Sequence, residues 1–230
     1  MENMSKIAST MIFEKNYYEN SAWKNKRVIC GIDEVGRSCL AGPLVTAAVI
    51  LPCRKDFHLL KDSKKLSLQE RNTAYNWIQK NCWYATALVD HRTIDQKNIY
   101  QATLAAMKRA VLHCLIKSPQ RPSAFVVDAM PLSLANTNYK DTPIHFFNKG
   151  EDFSTSIAAA SIVAKVTRDR LIAKYDTIFP GYNFTKHKGY PTPEHKNAIN
   201  EHNFSIIHRK SFLTKIINKK ESKNGQQTIC

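Results

Sequence analysis

The chain has 230 residues, of which 43% are hydrophobic, so it is long enough to form one substantial core. Its formal net charge is +15 at pH 7, which should attract polyanions such as nucleic acid, although a cationic surface without a specific partner gives the same charge. No stretch reaches about 18 uninterrupted apolar residues and the N-terminus lacks a continuous apolar segment, which argues against a membrane span and a signal peptide.

The first part of the chain predicts two strands after a polar lead-in. We expect at most one short helix in residues 1–26, a strand over 28–32, and a turn of small residues over 36–43. The following segment, 44–51, is apolar throughout, which is typical of a strand buried on both faces.

Helical and strand patterns then alternate. Ser67 and Glu70 have the spacing of a capping box, so a helix should begin there. Residues 82–90 have the composition of a third strand. Apolar residues recur at helical spacing between about 98 and 116, which predicts a long amphipathic helix.

The second half continues this alternation. Two short strands are expected, over 123–130 and 143–147, followed by a helix over 154–175 whose small residues allow close approach to a sheet. A further helix is expected over 193–201, and the segment from 219 onward is polar. These elements together predict an α/β fold with a mixed sheet.

The change in composition along the chain divides it into four parts. We expect a polar lead-in (1–26), a catalytic or binding core (27–180), a C-terminal helical extension (181–218) and a polar tail (219–230). The six cysteines are scattered without disulfide or zinc spacing, so we expect reduced thiols in a cytoplasmic protein.

Five carboxylates occupy positions where a site could form. Asp33 and Glu34 follow one apolar strand, Asp128 ends another, and Glu151 and Asp152 precede a helix whose dipole should favour their ionised form. Successive strand residues point to opposite faces, so a break in the strand at Gly36 is expected to bring the first pair to one site. Ligands of open α/β sheets gather outside the strand ends.

Carboxylates that converge in this way repel one another unless cations lie among them. Oxygen ligands suit Mg²⁺ or Mn²⁺, and two such ions about 3.5 to 4 Å apart can support in-line phosphodiester displacement. The alternative is that these acids are caps, turn formers or partners of the many lysines and arginines.

Six ordered segments resemble the bacterial ribonuclease HII family, the type 2 ribonucleases H. They are "GIDEVGRSCLAGPLVTAAVIL", "LKDSKKLS", "VVDAM", "KGEDFSTSIAAASIVAKVTRDR", "HKGYPT" and "HRKSF". The resemblance implies a ribonuclease H-like fold, a mixed central β-sheet flanked by helices with a C-terminal helical extension. It also implies an endonuclease that cuts the RNA strand of RNA-DNA hybrids and single ribonucleotides in duplex DNA, leaving 3′-hydroxyl and 5′-phosphate ends. Apart from the resemblance, we expect a monomer.

The same resemblance implies that Asp33, Glu34 and Asp128 are metal ligands for Mn²⁺ or Mg²⁺. The fourth acid of the family is usually an aspartate directly after Lys-Gly, where this chain has Glu151. Counting without gaps favours Glu151 as the fourth catalytic acid, although its longer side chain, by about 1.5 Å, leaves Asp152 as the alternative.

Substrate contacts are also implied by the resemblance. Gly36, Arg37 and Ser38 occupy the loop that reads the ribose 2′-hydroxyl, where the family more often has glycine at the last position. If that position requires a positive φ, Ser38 would be strained by about 1 kcal/mol. Tyr190 corresponds to the tyrosine that stacks on the following deoxyribose.

The remaining candidates are polar residues with ordinary alternatives. Lys64 and Lys65 are phosphate contacts by resemblance and common surface lysines otherwise. Four histidines near the C-terminus lack zinc-site spacing and are expected on the surface or against substrate, and Asp169 is expected in a helix-surface ion pair. The histidines are His187, His195, His202 and His208.

Two other functions agree with the carboxylates and the charge. One is a different metal-dependent nuclease on the same fold, such as a resolvase or transposase-like enzyme. The other is a non-catalytic protein that binds hybrids.

Overall fold

A computed structural model describes residues 15–214 and contains a five-stranded mixed sheet. The strand order is β3-β2-β1-β4-β5; β1, β2 and β3 pair antiparallel, whereas β4 pairs parallel with both β1 and β5. The sheet confirms the α/β class. The strands are β1 (Ile29–Val35), β2 (Leu44–Ile50), β3 (Trp83–Val89), β4 (Ala124–Asp128) and β5 (Ile144–Phe147).

Helices cover both faces of this sheet. The expected capping box is present, because Glu70 N donates to Ser67 Oγ and Ser67 N donates to the Glu70 carboxylate. The helices are α1 (Tyr17–Lys24), α2 (Leu68–Asn81), α3 (His91–Lys97), α4 (Ile99–Lys117), α5 (Thr155–Ile178), α6 (Phe184–His187) and α7 (Pro193–His202). The sequence did not predict α3, because only Ile94 of its seven residues is buried and no apolar period exists to reveal it.

The long helix α5 packs closely on β1 and β2. Its alanines at 158–160 are fully buried, as the small residues predicted. Gly31 of β1 permits this approach, since a Cβ there would lie 2.1 Å from the backbone carbonyl carbon of Ser156. The opposite face of the sheet is covered by α4, with Met107 and Val111 in the core.

The segment from 180 to 214 packs against the C-terminal half of α5. Its apolar residues, including Phe184 and Leu213, form a cluster with Ile172 of α5 and Leu40. No helix within residues 15–214 is both long and apolar enough to cross a membrane. Residues 1–14 and 215–230, which include the predicted polar tail, lie outside the described residues.

Candidate active site

The carboxylates meet at the ends of two parallel strands. Ile32 of β1 pairs with Val127 of the parallel strand β4. The residues that follow them, Asp33 and Asp128, therefore lie near each other toward the same end of the two strands. A cavity of about 520 Å³ opens there. Its lining contains Asp33, Glu34, Val35, Gly36, Arg37, Ser38, Ser63, Lys64, Asp128, Glu151, Ser161, Lys165 and Tyr190.

Asp33 and Glu34 both line this cavity, and the strand that carries them ends directly before Gly36. Strand β1 continues to Val35, two residues beyond Asp33, and the strand pairs Asp33 with Ala47 and Glu34 with Thr46. The strand is therefore longer than the expected 28–32. Glu34 N donates to Asp33 Oδ1 at 2.6 Å, and Asp33 is only 6% exposed.

Glu151, and not Asp152, faces the cavity. A 3₁₀ turn over Gly150–Asp152 precedes α5, and Gly150 N donates to Asp128 Oδ1 at 2.8 Å, which joins this turn to the end of β4. Glu151 lines the cavity. Asp152 instead accepts a hydrogen bond from Lys65 Nζ at 3.0 Å in an exposed ion pair, and neither of these two residues lines the cavity.

Burial raises the pKa of all four cavity carboxyls. Burial, reinforced by the charges of Glu34 and Asp128, holds the pKa of Asp33 well above its ordinary value. Burial raises the pKa of Glu34 to about 7, although Arg37, 3.6 Å away, opposes the shift. Desolvation also raises the pKa of Asp128 and Glu151. At Glu151 burial is the largest cause of the shift, and a hydrogen bond from the backbone opposes it by lowering the pKa.

This arrangement fits divalent cations. Glu34 Oε2 and Glu151 Oε2 are buried and have no hydrogen-bond partner, and negative charges without partners are what a bound cation stabilises. Oxygen donors of this kind suit Mg²⁺ and Mn²⁺. Within residues 15–214 no three acidic, histidine or cysteine side chains are placed around one point closely enough to hold a metal ion as they stand.

The loop after β1 has the conformation that its glycine requires. Gly36 has a φ of +94°, and a Cβ there would lie 2.3 Å from Nε of Arg168. Ser38 does not have a positive φ, so the strain considered for a serine at this position is absent. Ser38 is accommodated by the loop as it stands.

Two fully buried arginines, Arg168 and Arg209, donate hydrogen bonds to backbone carbonyls of this loop. Arg168 of α5 donates to the carbonyls of Ala41 and Pro43 at 3.1 and 2.9 Å. Arg209 donates to the carbonyls of Arg37 and Gly42 at 3.0 and 2.9 Å, and burial lowers its pKa to about 10. Carbonyl dipoles thus take the place of carboxylates as the partners of these two cations.

Tyr190 forms one wall of the cavity and is half-buried. Its ring centroid lies 6.0 Å from Lys165 Nζ and 5.9 Å from the Arg168 guanidinium carbon, and burial raises its pKa to about 12. Lys165 also donates to Asp169 at 2.9 Å, which confirms the expected ion pair of Asp169.

Sequence reasoning did not single out three polar residues of the cavity. They are Lys165 and a pair of serines, Ser63 and Ser161, whose hydroxyl oxygens are 2.9 Å apart. All three lie inside the segments that carry the family resemblance, and that position is the one signal that could have identified them.

The histidines do not lie where the sequence placed them. His187, His195 and His208 are buried together, and only His202 is exposed. The expectation of surface histidines is wrong for these three, because hydrogen bonds among the rings and nearby backbone satisfy their nitrogen atoms inside the protein.

The chain matches the family model described as ribonuclease HII over residues 30–215. It is 46% identical over 203 residues to a ribonuclease HII of Enterococcus faecalis, an alignment that covers 86% of this chain and 75% of that protein. It is 44% identical over 198 residues to a ribonuclease HII of Geobacter sulfurreducens, covering 86% and 87%. The ribonuclease HII solved in complex with PCNA from Archaeoglobus fulgidus has a TM-score of 0.66 at 26% identity, covering 80% of this chain and 94% of that one.

Proposed function

The chain belongs to the ribonuclease HII family and is a metal-dependent endoribonuclease that degrades RNA in RNA-DNA hybrids, and we propose that the cavity described above is its active site. In this proposal the enzyme also cuts at single ribonucleotides embedded in duplex DNA and leaves 3′-hydroxyl and 5′-phosphate ends. The observation that carries the proposal is the convergence of Asp33, Glu34, Asp128 and Glu151 on one cavity.

We assign these four carboxylates to the metal centre, with Asp33, Glu34 and Asp128 as ligands and Glu151 as the fourth catalytic acid. The buried, unpartnered oxygens of Glu34 and Glu151 support the assignment. Two divalent cations, Mn²⁺ or Mg²⁺, would stabilise the attacking and leaving oxygens of the phosphodiester when bound. Asp152 is not part of this assignment, since its carboxylate pairs with Lys65 at the surface.

The other cavity residues are assigned to the substrate. Gly36, Arg37 and Ser38 would bind the ribose through their backbone, and the 2′-hydroxyl distinguishes RNA from DNA at that point. Tyr190, which also lines the cavity, would stack on the neighbouring deoxyribose. Lys64 faces the cavity and would hold a phosphate.

Lys65 is assigned a weaker phosphate contact. Its side chain is 62% exposed and already pairs with Asp152, so a phosphate would have to compete with that carboxylate. We further propose that the enzyme acts as a monomer in the cytoplasm, and the scattered cysteines, which lack disulfide spacing, support the location.

Cleavage of a labelled duplex that contains one ribonucleotide tests this function. With Mn²⁺ or Mg²⁺ the wild-type protein should cut beside the ribonucleotide and leave an all-DNA duplex intact. Asp33→Asn should abolish cleavage and retain binding of the duplex. Cutting of the all-DNA duplex would indicate a different metal-dependent nuclease, and full activity of Asp33→Asn would contradict the assignment of the site.

A matched pair of variants tests the fourth acid. Glu151→Gln should lower the cleavage rate by about 100-fold or more, because it removes a charged ligand from the cavity. Asp152→Asn should stay within about threefold of wild type, since surface ion pairs contribute little. The reverse result would assign the role to Asp152.

A further inference from the structure

A chain of hydrogen bonds runs from a C-terminal loop to the backbone of Tyr190. Ser205 N donates to His208 Nδ1 at 2.9 Å, His208 Nε2 lies 3.0 Å from His195 Nε2, and His195 Nδ1 lies 2.9 Å from the Tyr190 carbonyl oxygen. His195 is fully buried, and its ring stacks on that of His187 with centroids 4.2 Å apart. Neither the metal centre nor the ribose loop uses these rings.

One set of neutral tautomers satisfies every bond in this chain. A carbonyl oxygen only accepts, so His195 Nδ1 must carry the proton that it donates to Tyr190. His195 Nε2 is then an acceptor, and His208 Nε2 must be the donor. This leaves His208 Nδ1 as an acceptor, as its bond from Ser205 N requires.

Burial favours these neutral forms. It lowers the pKa of His195 and of His208 to about 4, so both rings are neutral at physiological pH. The tautomers are therefore fixed by the hydrogen bonds, and the direction of each bond is fixed with them.

This series of hydrogen bonds ends at Tyr190, which is the one aromatic residue in the cavity lining among residues 15–214. The Tyr190 carbonyl also accepts from Thr192 N at 2.8 Å, so His195 supplies its second donor. The neighbouring residue Gly189 is in turn bonded to the ribose loop, since Leu40 N donates to the Gly189 carbonyl at 2.8 Å. A shift of the backbone at Tyr190 would therefore move the ring relative to the loop that holds the ribose.

We propose that His195 is a positioning residue for Tyr190, which holds the tyrosine backbone through Nδ1–H so that the ring meets the substrate at a set distance from the ribose loop. His208 contributes indirectly, because its hydrogen bond to His195 Nε2 fixes the tautomer of His195. The inference rests on the proposed contact between Tyr190 and the substrate.

Two substitutions of the same residue separate the two ring nitrogens. The amide nitrogen of Asn occupies the position of Nδ1, so His195→Asn keeps the donor to Tyr190 and loses the contact with His208. His195→Gln places its amide near Nε2, so it keeps a partner for His208 and loses the donor to Tyr190. Each variant loses one buried hydrogen bond, so the two should lose similar thermal stability.

Steady-state cleavage of the single-ribonucleotide duplex distinguishes positioning from stability. We expect His195→Gln to raise KM about fivefold, as the loss of one hydrogen bond implies, and His195→Asn to stay within about twofold of wild type. Equal changes in KM for the two variants, or changes that follow their melting temperatures, would overturn the proposal.

Tyr190→Ala, measured in parallel, separates this inference from the proposed function. If Tyr190→Ala raises KM and the two His195 variants do not differ, only the positioning role is wrong. If Tyr190→Ala leaves KM unchanged, the substrate contact itself is wrong and the positioning role is excluded with it.

A second pair of variants, at His208, tests the same proposal if a His195 variant does not fold. His208→Gln keeps an amide donor toward His195 Nε2, whereas His208→Asn does not. We expect only His208→Asn to raise KM, and equal KM values for the two would overturn the role of His208 in fixing the tautomer.

Discussion

Replacing Glu34 by Gln should stabilise the metal-free enzyme at neutral and alkaline pH. Its carboxylate is 12% exposed, and one of its oxygens has no hydrogen-bond partner. Burial raises its pKa from 4.5 to about 7, so the folded protein holds this proton more tightly than the unfolded chain does. An amide of the same shape carries no charge to desolvate, and the substitution therefore removes the cost of ionising this group.

The size and pH range of the effect follow from that pKa. A raised pKa means that the folded state holds the Glu34 proton more tightly, so the contribution of this group to stability is greatest below pH 4.5 and is lost as the pH rises through about 7. The difference of about 2.5 pKa units corresponds to about 3 kcal/mol at pH 8, and to less than about 1 kcal/mol at pH 5. For a chain of this length, a difference of about 3 kcal/mol at pH 8 corresponds to a rise of about 6 °C or more in melting temperature.

Thermal unfolding in a chelator at pH 5 and pH 8 measures this effect. Glu34→Gln should melt above wild type at pH 8 and close to it at pH 5, and added Mn²⁺ should raise the melting temperature of wild type more than that of the variant. Glu201→Gln, at an exposed carboxylate, is the control and should match wild type at both pH values. A Glu34→Gln protein that melts at or below the wild-type temperature at pH 8 would refute the reasoning.

Three other expectations concern the loop, the lysines and salt. Gly36→Ala should lower the melting temperature by several degrees and reduce cleavage, because the new Cβ would lie 2.3 Å from Arg168 Nε at a φ of +94°. An unchanged melting temperature would show that the loop can move aside. Lys64→Ala should raise KM for the duplex more than Lys65→Ala, since only Lys64 lines the cavity, and equal values would contradict that distinction. Substrate affinity should fall steeply between about 50 and 200 mM salt, as expected when a cationic protein displaces counterions, and a flat response would argue against phosphate contacts as the main source of binding.

Elements with a strong local signal were predicted well. The buried strand at 44–51 and the capping box at Ser67 correspond to β2 and the start of α2, and the helix expected over 154–175 runs to Ile178 in α5. The short helix α3 was not predicted, because it packs through Ile94 alone and therefore shows no apolar period. The end of β1 was predicted too early. Two adjacent charged residues suggest the end of a strand when the neighbouring strands of the sheet are unknown, but β1 continues through Asp33 and Glu34 to Val35.

The α/β class and the candidate acids could be predicted from the sequence alone, because strand and helix periods and a carboxylate after an apolar run are local properties of the chain. The tertiary structure was needed to show which acids share a cavity, that Glu151 and not Asp152 faces it, and that Lys65 pairs at the surface. It also decided that three histidines lie buried in one hydrogen-bonded chain. Burial and hydrogen-bond partners depend on segments far apart in the sequence, so no local pattern encodes them.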